Sequence, residues 1–402
     1  MAGPGPHLCT HAGQRNHAFP LRQRPVRQRK AAPGRHHQGS DRKAIVNACT
    51  LPHRLVRHAG SRLRSRGFTL IELMVGITLG LFILIGLISL LVSSVVSRSE
   101  LDKSSRQIEN GRYAVQLLTT DLRNAGYFGS SGNMVYTSPA IPTACSTTFA
   151  ALGYTPVATP GPSTVPLALY GLATAPTCIS NVLSNTAMLV VSRVDTTPVT
   201  PPGSATETYL QVSNCATDTT PFAIGAGTAS FPLLQNKCVT PESLRKVVQH
   251  IYFVSTCDVC AGSGTDTTPT LKMAEYVNGA MTVTPLVEGI ENLQFDYGVD
   301  TDGDGAPDCY TSNPTSPPAT EIAACNASYS WASALTNWAN VMAVRVHVLA
   351  RSTEASAGWT DSRIYDMGLA LGNVGPFNDH IKRHAYSALV RLYNGSGRRE
   401  QP

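Results

Sequence analysis

The sequence predicts an α+β fold in which one long N-terminal helix packs on an antiparallel β-sheet head with long loops. Three observations carry this. Residues 73–97 are 25 consecutive positions without a charge, most of them apolar. Residues 98–124 continue the run without a proline and place apolar side chains three, four and seven apart. From Met188 onward the chain turns to short β-branched and aromatic segments separated by turn residues, a pattern that places strands after the helix.

Residues 1–67 form a basic leader. Its first 66 residues hold 14 Lys/Arg against one acid, Asp41, and show neither helical nor strand periodicity. One meaning is a basic arm for nucleic acid. The other, adopted here, is a misassigned start or a disordered segment removed by cleavage. No methionine lies between Met1 and Met74, and Val46, Leu51, Val56 and Leu63 are alternative starts. Without residues 1–66 the chain has 18 Lys/Arg and 25 Asp/Glu. This acidic balance argues against direct nucleic-acid binding by the rest of the chain.

Residues 68–97 exceed the ~20 positions a helix needs to cross the hydrocarbon core. Arg62, Arg64 and Arg66 precede them. Positive flanks stay on the cytoplasmic side, so the chain beyond Arg98 is expected outside a bacterial inner membrane. Residues 98–126 extend the helix as an amphipathic half, with Leu101, Ile108, Val115, Leu118 and Leu122 as its apolar stripe and Gly126 as its stop. A helix over 68–124 would be about 85 Å long at 1.5 Å per residue.

Residues 127–402 make the head. Its first part, 127–185, is rich in Pro, Ser, Thr, Gly and Ala and reads as an irregular excursion. Strands are expected over 188–195, 208–212, 244–255, 271–277, 280–284, 293–299, 341–351, 364–369 and 384–393. Asn278-Gly279 joins two of them as a hairpin. All eight cysteines beyond the apolar run lie in the head: Cys145, Cys178, Cys215, Cys238, Cys257, Cys260, Cys309 and Cys325. An even number in an oxidising compartment reads as disulfides. Eight cysteines allow 105 connectivities. Pairing of sequence neighbours is the expectation adopted: 145–178, 215–238, 257–260 and 309–325. Cys257-Asp258-Val259-Cys260 has no second CxxC to complete a zinc ribbon. It also follows a strand rather than opening a helix as a redox pair would.

Gly67-Phe68-Thr69-Leu70-Ile71-Glu72, with its basic flank and long apolar helix, resembles the class III signal of type IV prepilins. The resemblance implies cleavage after Gly67, N-methylation of Phe68 and a role for Glu72 in fibre assembly. Thr69 and Glu72 also have the spacing of a helix capping box. A carboxylate in a membrane segment is nonetheless a functional candidate by default, and the freed amine of Phe68 is its natural partner. A second resemblance rests on Asp121-Leu122-Arg123-Asn124-Ala125-Gly126-Tyr127 and Phe295-Asp296-Tyr297-Gly298-Val299-Asp300. It rests also on Trp338-Ala339-Asn340-Val341-Met342-Ala343-Val344-Arg345-Val346 and the terminal stretch Arg383–Asn394. Together these are similar to the PilW family of type IV minor pilins. That implies a type IV pilin-like fold and a non-enzymatic subunit that primes and caps the pilus in twitching, adhesion or DNA uptake. Its implied partners are prepilin peptidase, other minor pilins, the major pilin, the inner-membrane assembly platform and membrane lipid. The alternatives are a pseudopilin of a type II secretion system and an adhesin-type binding head.

Two further features bear on chemistry. Asp300, Asp302, Asp304 and Asp308 stand at positions 1, 3, 5 and 9 of a calcium-type loop, with Gly305 at 6 and the carbonyl of Ala306 at 7. Thr311 at position 12 replaces the bidentate glutamate, so a weak Ca²⁺ site is expected, against the alternative of a solvated Asp-Gly turn. No nucleophile elbow, zincin, P-loop or dinucleotide motif occurs. His250, His347, His380 and His384 form no ligand spacing, and His347 is expected to face outward from its strand. Trp331, Trp338 and Trp359 are read as packing residues rather than a sugar platform.

Overall fold

The computed structural model describes residues 67–129, 137–158 and 161–400. The leader up to residue 66, with Cys9, Cys49 and the alternative starts, lies outside the described residues. By compactness the chain divides at Thr69/Leu70, so the long helix and the head form one unit.

Helix α1 spans Leu70–Asn124, 55 residues and about 82 Å. The head follows with β1 (Thr137–Ala140), β2 (Ser163–Pro166), β3 (Leu169–Leu172), β4 (Met188–Val194), β5 (Thr208–Val212), β6 (Phe222–Ala226) and β7 (Leu244–Ser255). Next come β8 (Thr270–Val277), β9 (Ala280–Glu288), β10 (Ile290–Val299), β11 (Cys309–Thr311), α2 (Ala319–Ile322), α3 (Ala334–Ala339) and β12 (Val341–Arg351). The chain closes with β13 (Tyr365–Asp366), α4 (Gly368–Leu371), β14 (Asn373–Val374), β15 (Arg383–Arg391) and α5 (Tyr393–Arg399).

Two large sheets dominate the head, beside the two-stranded β1–β2 and β13–β14. One is antiparallel with the order β11-β10-β12-β15. The other is built on β7, which takes β4 on one side and β5 on the other; β3 and β6 lie outside these, and β8 and β9 continue from β7. Asn278 and Gly279 both have positive φ, 52° and 78°, as the tight turn between β8 and β9 requires. Helix α1 lies against β12 and β15. Ala114, Leu118 and Leu122 of the helix share one core with Leu189 and Val191, Ile251 and Phe253, Phe295 and Tyr297, and Val344, Val346 and Val348.

The helix has two environments. Every large apolar side chain from Phe68 to Val96 is at least 52 % exposed. Burial begins at Gln107 and recurs at Gly111, Ala114, Leu118, Asp121 and Leu122, the spacing of one helical face. The expected stripe holds at Leu118 and Leu122, with Val115 packed beside them, and is corrected at Leu101 and Ile108, which are exposed at 67 % and 48 %. The face that meets the sheet keeps Leu118 and Leu122 but is otherwise made of small and polar residues, Gln107, Gly111, Ala114 and Asp121. At Gly111 an added Cβ would come 2.2 Å from Cε2 of Tyr386 on β15, so close approach selects glycine there.

Three other expectations are corrected. The excursion over 127–185 contains β1, β2 and β3, short strands whose Pro-, Ser- and Gly-containing sequences carry little local signal. Residues 364–369 give only the two-residue β13 and then enter α4. His347 is buried, because Leu349, Tyr365 and Met367 form a small core on that side of the sheet and α4 covers it. Its Nε2 lies 3.0 Å from Oδ2 of Asp296.

Candidate functional site on the spine helix and the acidic loop

Gly67 and Phe68 precede α1, and Glu72 stands in its first turn. The unpaired amides of a helix N-terminus favour a negative charge there. The segment that follows is long and apolar enough to cross a membrane, and none of that apolar window is buried against the head. Gly76, Gly80 and Gly86 have open space around them.

The second half of α1 is tied to the head by polar contacts. Nε2 of Gln107 donates to the Ala350 carbonyl at 3.1 Å, and Nδ2 of Asn110 donates to the Glu288 carbonyl at 3.1 Å. Glu100 accepts from Nζ of Lys382 at 2.7 Å. That contact, with help from Lys103, holds the Glu100 carboxyl at about 2. At the far end, Nδ2 of Asn394 donates to the Ala125 carbonyl.

Asp121 is the densest of these ties. It is buried on α1 and meets Nε of Arg193 at 2.6 Å, Nδ1 of His250 at 2.7 Å and the Tyr252 hydroxyl at 2.9 Å. Burial pushes its carboxyl up, but His250 and Arg193 outweigh burial and hold it at about 2. For His250, burial works against the charged form, while Asp121 and Glu275 raise the imidazole above its ordinary value. Asp121 thus joins the helix to β4 and β7 through one charge cluster. Neither His250 nor Arg193 is near it in sequence, so nothing local announced them.

The acidic loop follows β10. Carboxylate oxygens of Asp300, Asp302 and Asp304 lie within 4.8 Å of one another. Asp300 is fully buried. Its Oδ1 accepts from the Gly303 amide at 2.6 Å, and its Oδ2 from the Gly305 amide at 3.0 Å and from Nη1 of Arg399 at 2.8 Å. Burial opposes ionisation here, but Arg399 and the two amides lower the pKa of Asp300. Asp308 is not in the converging group. Its Oδ2 takes the amide and hydroxyl of Thr301 at 2.7 and 2.6 Å. The Ala306 amide donates to Asp304, and Thr311 donates to Glu321 rather than entering the loop. Against a Ca²⁺ requirement of six to eight oxygens, the fit is partial. Three carboxylates converge, but the ninth and twelfth positions are engaged elsewhere. Arg399, invisible as a partner in the sequence, already supplies one positive charge.

The head carries four disulfides, Cys145–Cys178, Cys215–Cys238, Cys257–Cys260 and Cys309–Cys325. All four join sequence neighbours, and the last ties β11 to the segment just after α2. The tryptophans pack separately. Trp338 lies 4.7 Å from the Tyr297 ring, Trp331 pairs with Tyr329, and Trp359 lies under Arg363.

A family model described as Type IV Pilus-assembly protein W, PilW, matches residues 251–394, the stretch from β7 to the start of α5. A second, the prokaryotic N-terminal methylation motif, matches residues 62–88. The chain is a PilW-type pilin. Among solved structures, this pilin is similar to a type IV-like pilin from Thermus thermophilus, with 12 % identity, 72 % of this chain and 96 % of that chain covered, and a TM-score of 0.30. No curated protein matches it. The two family matches make it a type IV pilus minor pilin, a membrane-anchored structural subunit. The matched C-terminal segment contributes most of the strands, the acidic loop and the β12–β15 surface on which the spine helix lies.

Proposed function

We propose that this minor pilin is cleaved after Gly67, methylated at Phe68 and held in the inner membrane by residues 68–97 with its head in the periplasm. From there it joins other minor pilins and the major pilin at the assembly platform, primes the pilus and sits at or near its tip. One observation carries this: the first half of α1 buries nothing against its own head, while the second half is buried in it. Fully burying each Leu, Ile, Val, Phe or Met side chain is worth about 1.5–3 kcal/mol. A bare apolar helix of this length therefore needs lipid or neighbouring helices at all times. Leaving lipid for a fibre costs little when helices of the same kind replace it. Glu72 is then neutralised by the freed amine of Phe68, its own or a neighbour's, because a carboxylate out of water needs a cation.

Glu72→Ala tests this. The variant is expected to insert and be cleaved normally, yet to restore few or no pili in a deletion strain. Wild-type piliation by this variant would refute the role. Loss of twitching rather than of exoprotein secretion separates a pilus subunit from a pseudopilin.

The acidic loop is proposed as a weak Ca²⁺ site of extracellular type. Asp300, Asp302 and Asp304 would hold the ion with the Ala306 carbonyl, and it would supply positive charge to carboxylates that Arg399 serves only at Asp300. The wild-type protein is expected to melt higher in calcium than in chelator, and the Asp302→Ala/Asp304→Ala double variant to lose that difference. Identical wild-type melting in both would dismiss the site.

A further inference from the structure

The Cys257–Cys260 bridge differs from the other three in what it holds. Those close separations of 33, 23 and 16 residues, whereas this one closes a separation of 3. The turn it spans, between β7 and β8, is already held by another group. The Asp266 carboxylate accepts from the amides of Asp258 at 2.9 Å, Val259 at 2.8 Å and Thr268 at 2.8 Å. Those amides lower the Asp266 pKa. Opening the bridge would therefore leave the turn anchored.

The two sulfurs are not equivalent. Cys257 is buried, whereas Cys260 is half-buried and follows the exposed Val259. Nζ of Lys272, on β8, lies 3.3 Å from Sγ of Cys260 and donates to the Asp258 carbonyl at 2.9 Å. The Ser255 hydroxyl is 3.4 Å from the same sulfur. Lys272 is buried, so its ammonium is fixed against Cys260 rather than free in solvent. An adjacent ammonium stabilises a thiolate, and a stabilised thiolate leaves faster in exchange. The CxxC spacing alone carried no such preference, because the cation comes from a different strand.

We propose that Cys257–Cys260 is a thiol–disulfide exchange site, with Cys260 as the exchanging sulfur, Lys272 as its positioning cation and a protein dithiol of the oxidoreductase class as its partner. In reduction, a thiolate of the partner attacks Sγ of Cys260, the Sγ–Sγ bond breaks, and Cys257 leaves and takes up a proton. The partner's second thiolate then attacks the partner sulfur of the mixed disulfide. Cys260 departs as a thiolate beside Lys272, and the partner ends as a disulfide. Two electrons pass from the partner dithiol to the pilin. Oxidation is the reverse, begun by the Cys260 thiolate on a partner disulfide.

The test uses the purified full chain in detergent, titrated with dithiothreitol as the probe dithiol, then alkylated and peptide-mapped. Cys257 and Cys260 are expected to label at a dithiothreitol concentration at least about tenfold below that needed for the other six cysteines, with the melting curve of the protein retained. After this selective reduction, iodoacetamide should modify Cys260 first, with half-maximal rate below the ordinary thiol value of about 8.5. Lys272→Met should slow that alkylation about tenfold at pH 7, the effect of a one-unit rise in thiol pKa. Lys272→Arg, which keeps the charge, should retain the fast reaction and serves as the decisive variant if Lys272→Met fails to fold. Reduction of all four bridges together, first labelling at Cys257, or an unchanged rate in Lys272→Met would each overturn the proposal.

Discussion

Asp121 makes the densest polar tie between the spine and the head. Its charge is shared between Arg193 and His250, and removing one member of such a buried cluster leaves the others uncompensated. Asp121→Asn is therefore expected to cost about 3–5 kcal/mol. The sign of the pH dependence follows from the two shifts. Asp121 is lowered from 3.8 to about 2. Its contribution is present above its ordinary value and is lost as pH falls through about 2. His250 is raised above 6.5. Its contribution is complete below 6.5 and is lost as pH rises through the higher folded value. Stability from this pair should thus be flat between about pH 4 and 6.5 and decline on either side. Thermal melting of the wild type and of Asp121→Asn across pH 2–9 checks this. A variant curve parallel to the wild type over the whole range would deny the pair its role.

At the scale of the element, the contact of α1 with β15 depends on what α1 lacks. Gly111 lets the Tyr386 ring lie against the helix backbone, and a Cβ there would sit 2.2 Å from it. Gly111→Val should destabilise the head by about 1–3 kcal/mol through overpacking. Tyr386→Ala in the same chain should return much of that loss, a coupling that a double-mutant cycle measures. Strictly additive losses would place the strain elsewhere. This close seam also marks the limit of what was legible in the sequence. Long strands rich in Val, Ile, Tyr and Phe, such as β7 and β12, were readable to the residue, because burial on both faces demands continuous apolar runs. The packed face of α1 is legible at Leu118 and Leu122 but not at Gln107 and Gly111, because apolar periodicity does not register polar and small residues. The sequence alone places His347 outward, because α4, four residues long, gives no periodic signal. Asp121's partners and Arg399 at Asp300 are products of tertiary placement and have no local signature at all.

The whole molecule divides its helix between two solvents. Residues 70–96 present apolar side chains outward all round, and from Gln107 onward one face is sealed against the four-stranded sheet. Among the described residues the disulfides lie in the head, away from the apolar half of the helix. This half was the most legible part of the chain, because its length and its flanking charges answer to the bilayer rather than to the fold. Everything about its use depends on the chain being cut between Gly67 and Phe68. The most direct measurement is the intact mass and N-terminal sequence of the mature protein isolated from membranes. A chain that begins at Phe68 and carries one added methyl group on its amine is the expected result. A chain that retains Arg62, Arg64 and Arg66, or begins at any residue other than Phe68, would contradict it.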